Sequence, residues 1–231
     1  MQPRNVRLLP LLPFVLLIAA CGSEANDSSR WIGHTFLLNI PATNWSEPRG
    51  IGGDIGGFVP QFLFSVARGA AAQDLEVTIG TSVGGVQDPC NPTTKVTASG
   101  ADYPASQIVA HAFPLHILDT NQTPNVVVDT TVHDFSFKNI LPGGAGSGKE
   151  GEVTATIDAA EVYPLFRLIP MPSKESVCKA LGSAGATCAA CAHNGEPFCL
   201  TIKAVQLAGT QSAVALKSVA VDDVPASCRK P

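Results

Sequence analysis

The chain is short of charge. Asp, Glu, Lys and Arg make up 15% of its 231 residues, against about 25% in an ordinary soluble domain. Its basic residues never gather beyond the pair Arg229-Lys230, so the electrostatic footprint that holds nucleic acid is missing. The same dispersal removes the polybasic patch that would attach the chain to anionic lipid. No apolar run approaches the roughly 20 residues of a membrane span. The run Leu8–Ala20 has 13, so a permanent transmembrane helix is not expected. No internal repeat is present either.

What is there begins at the amino terminus. Arg4 and Arg7 precede the apolar run, and Ala19 and Ala20 close it with small residues. A charged start, a short apolar stretch and a small-residue cleavage site define a secretory signal. Ile18-Ala19-Ala20-Cys21 resembles the lipobox of bacterial lipoproteins, which implies cleavage before Cys21 and lipidation of its sulfur. Two or three acyl chains, at about 0.8 kcal/mol per buried methylene, hold a protein firmly to a membrane. Gly22 rather than Asp follows the cysteine, as in the outer-membrane sorting class of enterobacterial lipoproteins. The polar, turn-forming stretch Gly22–Ser29 reads as a flexible tether. Loss of residues 1–20 removes two arginines and moves the formal net charge from −4 to about −6.

The export reading decides the cysteine chemistry. Seven cysteines become six once Cys21 is lipidated: Cys90, Cys178, Cys188, Cys191, Cys199 and Cys228. An even number in an oxidising compartment predicts three disulfides. Cys178 and Cys199 are each expected to pair with one of Cys188 and Cys191, leaving Cys90 with Cys228. The alternative, a zinc site from Cys188, Cys191, His193 and their neighbours, needs thiolates that oxidation removes.

Hydrophobic residues are 45% of the chain, too many for disorder, and they mostly alternate. Phe36-Leu37-Leu38-Asn39-Ile40, Phe62/Phe64/Val66, Asp74–Ile79, Glu152–Ile157 and Phe198/Leu200/Ile202 each show a period of two, the mark of half-buried strands. Further strands are expected over 107–118, 126–139 and 213–221, the last two with bulges. The fold class is mainly β: an antiparallel β-sandwich or β-barrel of about eight or nine strands. Periodicity does not choose between the two. Residues 1–20 form the signal, 21–30 the lipidated cysteine and tether, and 31–231 one β-rich domain. Within it, 158–199 is a small disulfide-stapled insertion with a short helix, capped by Ser173 and ending before Gly182, Val177 and Leu181 sharing one face.

Several motifs suggest catalysis. Gly143–Lys149 matches a phosphate loop, but Glu150 replaces the Mg²⁺-binding hydroxyl and a strand pattern follows where a helix is required. Gly80-Thr81-Ser82-Val83-Gly84 fits a nucleophile elbow, yet Pro89 and Pro92 exclude the helix that must follow. It is expected to be a strand-end turn. Asp158 and Glu161 could pose as a catalytic pair. The better reading is a capping box, with Asp158 capping a turn and Glu161 reaching back to it. His111 and His116, five apart in one strand, should face opposite ways, as should the neighbours His133 and Asp134. The histidines therefore form no constellation. Asp222-Asp223 reads as a solvated strand end. No cofactor or metal is expected. One long glycine-rich connection, running from Trp45 to Phe58, is of the kind that contacts ligands, with Trp45 and Arg49 as anchors.

Four phrases, Trp45–Pro48, Gln87–Asn91, Ile157–Phe166 and Cys178–Leu200, together resemble uncharacterised envelope lipoproteins of the myxobacterial type. Such relatives often carry Arg where this chain has Ala160, which weakens a role for Glu161. The resemblance implies location and topology and brings no activity. The expectation is a lipid-anchored protein of the cell envelope, at the outer rather than the inner membrane. It would act as a non-enzymatic binding or structural module whose partner is an envelope protein or a small molecule. The alternatives are an envelope hydrolase using Ser82 or Asp158/Glu161, and a barrel that carries an apolar small molecule.

Overall fold

A computed structural model describes residues 31–40, 44–48, 59–71, 74–99, 108–119, 125–138, 151–166, 173–183 and 185–229. Cys21, Arg49 and residues 143–150 lie outside them. Two antiparallel sheets form a β-sandwich. The first runs β11 (Thr210–Ser212), β1 (Thr35–Leu38), β3 (Gln61–Arg68) and β4 (Asp74–Val83). Along the outer side of β4 lie both β5 (Val86–Gln87) and β6 (Thr94–Ser99). The second runs β2 (Trp45–Glu47), β10 (Cys199–Leu207), β9 (Gly151–Asp158), β8 (Val126–Lys138) and β7 (Ile108–Asp119). Three of these strands have three residues or fewer. Seven of the other eight are alternating runs visible in the sequence; the eighth, β6, lies in a stretch that the alternation did not mark.

The core lies between the sheets. Phe36, Phe62, Phe64 and Val77 from the first meet Phe113, Val132, Phe135, Phe137 and Ile202 from the second. Among the described residues the closest phenylalanine contacts cross the interface, Phe64 to Phe137 at 4.5 Å and Phe62 to Phe135 at 5.2 Å between ring centres. Such tilted pairs add to the burial term that drives the sheets together. The helix α1 (Lys174–Ser183) runs through Gly182 and buries Val177 and Leu181 against the same core.

Residues 213–221 do not form a strand. The segment runs beside β5, but much of its pairing comes from side chains. Gln87 donates through Nε2 to the Lys217 carbonyl at 2.7 Å and accepts from Lys217 N–H at 2.8 Å. Thr93 donates its N–H to the Val219 carbonyl and accepts Val219 N–H on its hydroxyl. The alternation of Ala213–Val221 is real, but its hydrogen bonds go partly to a carboxamide and a hydroxyl rather than to a ladder. Asp222 and Asp223, exposed, belong to a 3-10 turn rather than to a strand end. This strap also covers the outside of the first sheet: a Cβ at Gly80 would meet Leu216 at 2.8 Å.

Disulfides join Cys90 to Cys228, Cys178 to Cys188, and Cys191 to Cys199. The first spans 138 residues and fastens the end of the strap to the loop after β5; the others span 10 and 8. Closing the long loop is worth about 5 kcal/mol in the chain-entropy account, and each local bond about 3. Replacing Cys90 and Cys228 together by Ser is therefore expected to lower the unfolding free energy by about 5 kcal/mol, and replacing Cys178 and Cys188 by about 3. Guanidinium titration of the two variants measures this, and a smaller loss for the long-range pair would refute the ranking.

Candidate functional site

The groups that suggest hydrolysis are spent on structure. Ser82 lies inside β4, paired with Gln61 and Gln87, and is 2% exposed. Its hydroxyl has no hydrogen-bond partner, so no base stands within reach of it. The turn comes two residues later at Gly84-Gly85, both with positive φ, as a two-residue hairpin requires. Asp158 caps the next turn by accepting from Ala160 N–H at 2.8 Å. Glu161 does not reach back to it. Its Oε2 accepts from the Thr130 hydroxyl at 2.6 Å and from Thr131 N–H at 3.2 Å. The reason lies in the sheet: β9 pairs β8 over His133–Lys138 and ends at Asp158. Thr131 N–H thus needs an acceptor that β9 does not supply, and the Glu161 carboxylate provides it.

The interior offers little room. Trp45 is not an exposed anchor; it is buried in β2 and lines an apolar void of about 50 Å³ between the sheets. Engineered cavities that admit benzene measure about 150 Å³. The carrier reading therefore has no support from the described interior.

Among the described residues, two clefts open on the outer face of the second sheet. The larger, about 480 Å³, is lined by His116, Asp129, Thr131, Glu161, Cys90 of the loop after β5 and Val221 of the strap. His116 Nδ1 donates to Asp129 Oδ1 at 2.7 Å, across a directly paired position of β7 and β8. Asn91 clamps the loop to this strand, donating to the His116 carbonyl and accepting its N–H. The Nε2 atom of His116 is buried and unpartnered. Asp88 and Asn91, read only as part of a family-like phrase, thus form with the disulfide-bonded Cys90 a structural joint between the sheets.

The second cleft, about 340 Å³, gathers His111, His133, Asp134 and His193, with Thr156 and Thr201. Expecting no histidine constellation was incorrect, because alternation fails here in two strands at once. Ala110 and Phe113, three apart, both enter the core, and so do their partners Phe135 and Val132. Asp134 takes up the extra residue with φ +48°, and the register against β9 shifts between His133 and Ser136. That left-handed backbone costs on the order of 1 kcal/mol in a non-glycine residue, least in Asp or Asn. The break lets the neighbours His133 and Asp134 line one cleft rather than opposite faces. It also leaves His111 off the core, on the same side as His116.

His193 arrives from the stapled insertion. Its turn is closed by Gly195, at φ +78°, and by Cys191 N–H donating to the Glu196 carbonyl at 2.8 Å. The His193 ring stacks on that of His133 with centres 3.9 Å apart and planes 9° from parallel. Cys191 Sγ, Cys199 Sγ and His193 come within 4.8 Å of one another. The sulfurs, however, are bonded to each other and offer no thiolate to a metal.

Towards the other end of β9, Glu152 lies between Lys203 at 3.0 Å and Lys138 at 3.4 Å. Burial pushes its carboxyl up, but the Lys203 hydrogen bond and the charges of Lys138 and Lys203 outweigh it and hold the group below 4.5. Its contribution to stability is thus full above the unfolded value of 4.5 and lost as pH falls through the lower folded value. The stability gap between wild type and Glu152→Gln should accordingly narrow on acidification below that value, as denaturation at a series of pH values would show. A gap that widens there would contradict the assignment. Ser82→Ala removes a buried, unpartnered hydroxyl and is expected to raise stability by about 1 kcal/mol. A loss of several kcal/mol would show that the hydroxyl has a partner after all.

No family model matches this chain, and neither a curated protein nor a solved structure does.

Proposed function

We propose that this protein is a lipid-anchored component of the bacterial cell envelope that binds a partner rather than catalysing a reaction. One observation carries the reading: the three disulfides account for every cysteine except Cys21. Cys21 stands directly after the small residues that close the apolar run. A seventh cysteine left out of the disulfide framework, at that position, is the one a lipid would modify. Three bonds also suit an exported domain, since the cytosol would keep these thiols reduced. Fitness for binding rather than hydrolysis rests on Ser82, which is buried with no base bonded to it, and on Asp158 and Glu161, which are held by local hydrogen bonds.

The test is mass spectrometry of the mature amino terminus. The expected species begins at Cys21 with a diacylglyceryl thioether, and Cys21→Ser should release the protein from the membrane fraction. An unmodified Cys21, or a Cys21→Ser variant that stays with the membrane, would sink the anchor.

A further inference from the structure

We infer that the cleft of His111, His133, Asp134 and His193 is a binding site for a divalent transition-metal cation, with Cu(II) held more tightly than Zn(II). The proposal deepens the binding role above but is measured apart from the anchor, since an unacylated Cys21 would leave the cleft intact.

The first argument is convergence. Three imidazoles and a carboxylate come from three separate elements, β7, β8 and the stapled turn, into one concavity. The second is that these groups are unspent. Elsewhere His34 meets Gln211, His116 meets Asp129, and Glu152 meets two lysines. Among the described residues, the side chains of His111, His133, Asp134 and His193 take part in no hydrogen bond or ion pair. The third is the shared break in β7 and β8. It turns His133 and Asp134 to one side, where regular alternation would have separated them.

The chemistry of the donors selects the ion. Neutral imidazole nitrogen suits Zn, Cu and Ni, whereas Ca²⁺ and Mg²⁺ demand oxygen. With Cys191 and Cys199 bonded to each other, the site holds nitrogen and oxygen and no thiolate. That composition favours Cu(II) over Cu(I), and the order of affinities for such donors peaks at Cu(II). The rings of His133 and His193 lie nearly parallel, so their in-plane lone pairs run side by side. Loading therefore requires His193, exposed on its turn, to rotate about its side-chain bonds until its nitrogen faces the ion. The Cys191–Cys199 bond keeps the turn itself over β8 while the ring moves.

The experiment is calorimetric titration of the full, disulfide-intact protein with Cu(II) and, separately, Zn(II) chloride, using glycine as a competing chelator for copper. One ion per chain is expected, tighter for Cu(II), with a rise in melting temperature on loading because only the folded chain presents the site. His193→Gln and His133→Gln should each weaken binding at least tenfold, and the double variant should remove it. His34→Gln, outside the cleft, should change nothing. Because His193 sits on an exposed turn, the metal-free melting temperature of His193→Gln should match wild type, separating lost ligation from lost fold. Absence of saturable uptake by the wild type, or uptake undiminished in the double variant, would overturn the proposal.

Discussion

The phenylalanine contact between the sheets sets the rest of the structure. Phe62 and Phe64 project from β3, and Phe135 and Phe137 must meet them from β8. The first half of β8 also turns Val126, Val128, Thr130 and Val132 inward. Positions 132 and 135 cannot both face inward in a strand of period two. The conflict is resolved at Asp134, and β7 follows in step, since its register against β8 is unbroken along their length. The cleft on the outer face is the other side of that resolution. Residues that the core refuses, His111, His133 and Asp134, are turned outward together.

Much of the fold was legible in the residues. Runs such as Asp74–Ile79 and Glu152–Ile157 alternate because one face of each strand enters the core, and both are strands. The helix at Lys174–Ser183 was legible from Val177 and Leu181. The failures share a physical cause: period two describes burial, not the partner that completes a backbone. Residues 213–221 alternate as a strand does, but Gln87 and Thr93 take the place of a neighbouring strand. Glu161 has the spacing of a capping box, yet it is drawn away by an orphan N–H on β8, thirty residues distant in sequence.

The histidine cleft was the least legible part. Each of its histidines sits in an unremarkable local context, and His193 joins the others only because the insertion folds back over β8. A signal was nonetheless present. Ala110-His111-Ala112-Phe113 and Val132-His133-Asp134-Phe135 both place apolar residues three apart inside long alternating runs. Two such lapses, which the register then sets opposite each other, mark a paired irregularity rather than noise.

The disulfide map also constrains how the chain reaches its final state. In order of synthesis the cysteines of the domain emerge as Cys90, Cys178, Cys188, Cys191, Cys199 and Cys228. Joining them two by two as they appear would give 90 with 178, 188 with 191 and 199 with 228, and none of these is a native bond. Order of appearance therefore opposes the native map. Cys90 must either wait as a free thiol until the last residues arrive or exchange out of an early partner by attack of another thiolate. In the folded chain Gln87 and Thr93 hold the strap at Lys217 and Val219, and the same strap leads to Cys228 in its bond with Cys90.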